Sequence, residues 1–455
     1  MPKQHPADGT DHTTVASAPQ LRRVGRFLVG ASIAVILAAT VTPQSGHPET
    51  DPLCVICGSL GGVDAILNIL LFLPLGLGLA LSGVRTIYAL FAMLLLSAGI
   101  EVTQFFFISG RDANIGDVLT NALGGALGFA LASTSTIWRD PSRRAAAALC
   151  VTWSAIWLAV QLISSFAFAP ALPPTRYYGQ IARIFGNMAT FDGQVLSATI
   201  DSVDVPNFGY AKSAQFRELL GRGASVRATV IPAAPTSRIA PIVRVADEER
   251  QEIVLLGQDH SNLVFGLRTG AVTLRLRPPF FAVRQAFPSR SDGAGLHISD
   301  TLQLRARYAP SGVEMRVDSK GATRQRRMAV YPGLAWILVL PTRWYVEGTR
   351  NEIMFSLIWL FAWTFPLGYW LACFVASGQN DPDGQLILDR NALLALVIQL
   401  ALLGVGLVLV PHAFGLAQPS LGTWIAAALG LLLGAILGRA QTRGPSVANP
   451  NLAVA

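Results

Sequence analysis

The sequence predicts a polytopic α-helical membrane protein of about eight spans that carries an all-β sandwich domain on its extracytoplasmic side. Three observations lead there. Of 455 residues, 52% are hydrophobic and only 14% charged, with too many long apolar runs for an ordinary soluble chain. Apolar windows of at least 18 residues fill both ends of the sequence, whereas the block from about 171 to 350 is polar. Within it, from about 190 to 340, apolar and polar residues alternate with a period of two. The basic residues then orient the drawing. Of 35 Lys and Arg, 23 lie in the polar block, which is large enough to cross regardless of charge. The other twelve fall on one side of the membrane, except Arg111. The positive-inside rule therefore puts both termini in the cytoplasm and the block outside.

Taken in order, residues 1–25 lack periodicity and read as a disordered cytoplasmic tail. That tail is too long for a signal-peptide n-region, so the first span, 26–43, reads as an uncleaved anchor. The outer loop that follows holds Cys54 and Cys57 in CVICGSLGG. A C-x-x-C can be a redox pair, half of a zinc site or a small disulfide loop. Cys150 and Cys373 sit within other spans and no histidine is spaced as a partner, so no metal site is expected. An oxidising compartment favours a local disulfide over free structural thiols, and either over redox catalysis.

Spans at 64–82, 87–108 and 116–134 each carry polar residues at helical spacing. Asp64 and Asn68 are four apart, Glu101 and Gln104 three, Asp117 and Asn121 four, so each pair shares one helix face. An acidic side chain centred in a lipid-spanning helix costs about 2.5–3.5 kcal/mol. Asp64, Glu101 and Asp117 are accordingly expected to face a protein interior or a wet cleft near the outer ends of their helices. Gly124-x-x-x-Gly128-x-x-x-Ala132 permits close approach of a neighbouring helix, and Pro74 is expected to kink its span. Two readings stay open. The polar residues form either an interhelical clasp in which Arg111 neutralises one carboxylate, or a functional site. Three carboxylates against one arginine exceed what packing needs.

The ordered set Asp64, Asn68-x-x-x-Phe72-x-Pro74-Leu75-Gly76, Glu101-x-x-Gln104, Arg111, Asp117-x-x-x-Asn121-x-x-Gly124-x-x-x-Gly128 resembles the VanZ family of bacterial membrane proteins over about 26–134. The resemblance implies a place in the cell envelope and a link to glycopeptide resistance of the teicoplanin type. It supplies no reaction.

A fifth span, 145–168, has Gln161, Ser164 and Ser165 near its outer end, read as packing. Beyond Pro170, Pro173 and Pro174 come strands expected at 226–231, 241–246, 252–257, 262–268, 272–276 and 302–308, then a hairpin ending near Gly321. The pattern EIVLLGQDHSNLVFGLRTG, followed by that hairpin, resembles a laminin-G-like or concanavalin-A-like jelly roll over 185–345. This implies carbohydrate or protein binding, which fold alone does not license. Asp247-Glu248-Glu249 and Asp259-His260 read as turns, and no catalytic carboxylate pair stands out. Arg275, Arg277, Arg305 and Arg307 read as a basic stripe suited to anionic glycans. The run 334–341 is too short to span, and reads as a last strand or a membrane-surface segment with Trp336, Trp344 and Tyr345 at headgroup level. Three spans within 353–438 and a cytoplasmic tail, 439–455, complete the chain.

Two functions fit. One is an envelope enzyme or resistance factor acting on a lipid-linked or surface glycan, with Glu101 and Asp117 as acid and base, Arg111 holding an anionic group, and Asp64, Asn68, Gln104 and Asn121 binding. The other is a membrane scaffold or binding protein that presents the jelly roll, its polar cleft being only a clasp. A transporter is disfavoured because the polar residues gather at one side. The net charge of +8 comes mostly from topology and from the outer block, so the bilayer and a glycan are expected partners and nucleic acid is not. No cofactor is expected. The expected location is the bacterial cytoplasmic membrane.

Overall fold

The computed structural model describes residues 18–42, 53–108, 110, 113–182, 188–232, 234–287, 301–319, 321–377 and 390–442. The described residues divide into two compact units, one within Met1–Cys57 and Asp64–Ser135, the other within Gly58–Val63 and Thr136–Ala455. Among them, eight helices are long and apolar enough to cross a membrane.

The first unit contains α1 (Ala18–Thr40), α2 (Gly61–Leu81), α3 (Thr86–Phe107) and α4 (Ile115–Ser133). α1 begins inside the tail expected to be disordered. Pro19 fits its first turn, where a main-chain N–H lacks a helical partner in any case. The core of the unit is Ile36, Phe72, Leu75, Ala89, Met93, Ile100 and Phe129, all buried. α4 lies directly on α2: a methyl group added at Gly124 or Gly128 would overlap the main-chain carbonyl of Ile69 or Leu73. This contact brings the polar face of α4 up to that of α2.

In the second unit α5 (Ser135–Arg139) and α6 (Arg143–Phe168) lead into two sheets. The strands are β1 (Tyr178–Ile181), β2 (Gln194–Ile200), β3 (Val203–Asp204), β4 (Gly209–Tyr210), β5 (Ser225–Ile231), β6 (Ala240–Ala246), β7 (Glu252–Asp259), β8 (Asn262–Leu267), β9 (Phe280–Val283), β10 (Leu302–Ala309), β11 (Gly312–Ser319), β12 (Ala322–Ala329) and β13 (Tyr345–Val346). Helices α7 (Ser213–Arg222) and α8 (Gly270–Thr273) are inserted between strands. One sheet runs β13-β9-β8-β7-β6-β1-β4 and the other β12-β11-β10-β5-β2-β3. All pairings are antiparallel except β13 with β9. β10 realises the period of two: Leu302, Leu304, Ala306 and Tyr308 are buried, while Gln303, Arg305 and Arg307 are exposed. β6, β7 and β8 are instead buried almost throughout, because both faces of their sheet are covered.

Several expectations are corrected. The alternation at 272–276 is not a strand: α8 occupies its start, and Arg275 follows in a left-handed conformation at φ 51°. The run at 334–341 is not a strand. Pro332–Val339 is a 3-10 helix with Pro332 in its first turn, and it buries Leu334, Ala335, Ile337 and Leu338. The hairpin does not end near Gly321 but continues into β12, an edge strand whose arginines stay exposed and whose Met328 alone is buried. β1 precedes residue 185 and sits between β6 and β4. Asp247 is buried at 5% exposure, not in a solvated turn, and accepts hydrogen bonds from Arg268 (2.8 Å) and the Gln251 N–H (2.8 Å).

The sandwich is fastened to the helices of its own unit. The Gly270 N–H bonds the Ala169 carbonyl beyond α6 at 2.9 Å, and the Ala171 N–H bonds the Arg268 carbonyl at 3.0 Å. Behind β13 the chain enters α9 (Arg350–Ala376), where Thr349 and Glu352 form a capping box. Glu352, 3% exposed, also accepts the N–H groups of Glu347 and Gly348, each at 3.0 Å. α10 (Arg390–Gly404) continues through a π turn, Val405–Leu409, into α11 (Val410–Ala413), and α12 (Leu421–Thr442) packs along α9.

Candidate functional site

The polar residues of the first unit converge where α4 begins. Asn114 caps α4, its side-chain oxygen accepting the Asp117 N–H at 2.9 Å. Three residues on, the Asp117 carboxylate accepts a return bond from Asn114 Nδ2 at 3.0 Å. This leaves the Asn114 main-chain N–H, which a capping box would have turned inward, to reach Glu101 Oε2 at 2.9 Å. One asparagine thus joins both carboxylates, at a helix N-terminus whose dipole favours negative charge. Asn68 on α2 completes the arrangement by donating to Asp117 Oδ1 at 2.7 Å.

The two acids differ in setting. Glu101 is buried at 8% exposure, and Asp117 is half-buried. Asn121, 2% exposed, donates to Ser97 Oγ at 3.0 Å, and its own buried oxygen has no partner among the described residues. Gln104 points elsewhere, to the carbonyl of Thr40 at the end of α1, at 2.9 Å. Asp64, expected to face an interior or a wet cleft, stands exposed in the first turn of α2. Arg111 lies outside the described residues. Cys54 and Cys57 are joined as a disulfide, and the Cys54 carbonyl accepts the Gly116 N–H of α4 at 3.2 Å.

Asn114, Ser97 and Thr120 escaped the sequence reading. Thr120 lies 3.5 Å from the Asn68 amide. Asn114-Ile-Gly-Asp117 carries a legible signal, a capping asparagine with an acid three residues later. Ser97 has none, since a serine in a span is usually packing.

In the sandwich, the four arginines of the expected stripe do not share a face. Arg305 and Arg307 stand exposed on β10, with Arg227 of β5 and Arg316 of β11 directly opposite Arg305. Arg275 belongs to the connection after α8, and Arg277 is tied to the carbonyls of Leu340 (3.1 Å) and Pro341 (2.9 Å). On the seven-stranded sheet a buried arginine meets a half-buried acid instead: Arg244, 2% exposed, reaches Glu252 at 3.4 Å, Gln180 at 2.9 Å and the Arg250 carbonyl at 2.9 Å. Burial pushes the Glu252 carboxyl up against the opposing pull of Arg244, and pushes the Arg244 guanidinium down.

Residues 12–139 match the VanZ/LLP1 family model. No curated protein and no solved structure matches the chain. The match covers the four-helix unit and stops before the sandwich. Together with the eight apolar helices it makes this a multi-pass membrane protein with a VanZ-like N-terminal part and a separate β domain.

Proposed function

We propose that the chain is an envelope protein of the bacterial cytoplasmic membrane whose VanZ-like spans carry a polar site for the headgroup end of a lipid-linked or surface glycan. Both termini lie in the cytoplasm and the sandwich outside. Glu101 and Asp117 act as acid and base, Arg111 holds an anionic group, and Asp64, Asn68 and Asn121 supply polar contacts, while Gln104, turned to the Thr40 carbonyl, is left out of the site. The supporting observation is the coupling of a buried and a half-buried carboxyl through Asn114. Such a difference in environment separates an acid from a base. The test is a profile of envelope lipids and glycans, together with glycopeptide susceptibility, in cells carrying Glu101→Gln and Asp117→Asn. The expected result is the deletion phenotype with unchanged protein level and melting temperature. A stable protein that keeps its full phenotype with both substitutions removes the acid-base assignment.

A second reading has its own support, because the described bonds of Asn68, Gln104 and Asn121 each tie two helices together. In it the cluster is a clasp, and the membrane part is a scaffold that presents the sandwich. The same substitutions then strip partners from a buried network. Breaking a buried ion pair costs about 3–5 kcal/mol, so protein level and melting temperature fall together with any phenotype.

A further inference from the structure

The seven-stranded sheet carries a cleft of about 680 Å³, within the range of small-ligand sites. Arg238, Arg244, Arg250, Arg268, Arg277 and Arg343 line it, against only two carboxylates, Glu252 and Asp259. Both acids are already engaged. Glu252 meets Arg244, and Asp259 accepts the Tyr345 hydroxyl at 2.6 Å while its other oxygen lies 3.0 Å from the His260 ring. Three of the arginines also have structural duties: Arg244 is buried in the floor, Arg268 pairs with Asp247, and Arg277 holds the end of the 3-10 helix.

The other three are of a different kind. Arg238, Arg250 and Arg343 are exposed, and among the described residues none has a carboxylate within ion-pair distance. Arg343 is nevertheless positioned, its guanidinium 4.9 Å from the centre of the Phe280 ring. Phe280 in turn lies across Gly266, where any side chain would strike the ring. An excess of guanidinium forks around a concave site fits an anion of high charge density. A phosphate group carries about −1.5 to −2 charges with several acceptor oxygens, more than a single carboxylate offers.

The position of the cleft adds to this. Val272 of α8 lines it, and α8 is bonded through Gly270 to Ala169, just past the end of α6, which is long enough to span a bilayer. The cleft therefore lies beside the end of a helix long enough to cross a bilayer. We propose that it binds a phosphate-bearing anion, free or as a lipid headgroup, through Arg238, Arg250 and Arg343. The site is separate from the Glu101–Asp117 cluster and does not depend on the acid-base reading.

The experiment uses the full chain in nanodiscs of zwitterionic phosphatidylcholine, titrated calorimetrically with pyrophosphate. Saturable binding that weakens with added salt is expected, with about a tenfold or larger loss of affinity in R238Q/R250Q. R227Q/R305Q, on the other sheet, should bind as the parent does, and citrate should bind more weakly. Melting curves check that R238Q/R250Q is folded, and if it is not, the two single variants are titrated instead. Repeating the titration with phosphatidylglycerol in the disc separates the sources. A weakened apparent affinity means the lipid headgroup competes for the cleft, and an unchanged one means the ligand is a free phosphate compound. The proposal is overturned by no saturable binding at low salt, by equal losses in R227Q/R305Q and R238Q/R250Q, or by citrate binding as tightly as pyrophosphate.

Discussion

The bond from Asn68 to Asp117 lends itself to a double-mutant cycle, because it links α2 to α4 at 2.7 Å through side chains alone. The variants are Asn68→Ala, Asp117→Ala and both together. A hydrogen bond to a charged group in a soluble protein contributes about 1.5–3 kcal/mol. Between membrane helices the average is about 0.6 and the maximum about 1.7 kcal/mol, because separated helices find other partners within the bilayer. The second scale governs here, since α2 and α4 are both long and apolar enough to cross a membrane. The expected coupling energy is therefore about 0.6–1.7 kcal/mol. Asp117→Ala alone should cost more, about 2–4 kcal/mol, because it also strands the Asn114 amide and removes an acid from the first turn of α4. The assay is unfolding of the full chain in mixed micelles by titrated SDS, followed by circular dichroism. A coupling energy below about 0.3 kcal/mol, the usual error of additivity, would refute the inference that this bond clasps the helices.

Gly128→Leu should drive α4 off α2 at the Leu73 carbonyl and lower stability by about 1–3 kcal/mol or more, whereas Leu127→Ala, at an exposed neighbour, should be nearly neutral in the same melting assay. Arg244→Met should cost about 1.5–3 kcal/mol, the scale of a hydrogen bond to a charged group, because Glu252 is half-buried and keeps some water, and adding Glu252→Leu should restore part of the loss. Because burial raises the Glu252 carboxyl from its ordinary 4.5, its contribution is full below that pH and is lost as pH rises through the folded value. Glu252→Gln should therefore flatten the stability profile from pH 4.5 upward, and an unchanged slope would count against a raised carboxyl. A fragment spanning 171–347 should give a cooperatively melting β domain, and one spanning 185–345 should not, because it lacks β1, which joins β4 to β6, and cuts β13. Single cysteines at Ser59 or Ser311, in a background without native cysteines, should label in intact spheroplasts while one at Ser142 does not. Labelling at Ser142 alone would invert the topology.

Much of the architecture was legible because it follows from local periodicity. Runs of apolar residues specify spans wherever lipid must be met, and the alternation in β10 specifies a strand with one face buried. The same rule misled at 272–276. Val272, Leu274 and Leu276 alternate as a strand would, but α8 and the left-handed turn at Arg275 place them differently. It also missed β12, because an edge strand that leaves its arginines in water has almost no apolar period to read.

By itself the sequence determined which residues could not face lipid. Glu101, Asp117, Asn68 and Asn121 are costly there, so their confinement to the protein interior or to a wet edge was fixed by solvation energy before any packing. Which of them meet was decided by tertiary structure. Asn68 reaches Asp117 because the glycines of α4 let α2 approach, Gln104 turns away to α1, and Asn114 joins two carboxylates through a helix cap. The arginine cleft belongs wholly to the second kind. Arg238, Arg250 and Arg343 are far apart in the chain and sit in no motif. They line one cleft only because sheet pairing folds distant segments together, and charge spacing along a sequence carries no record of that.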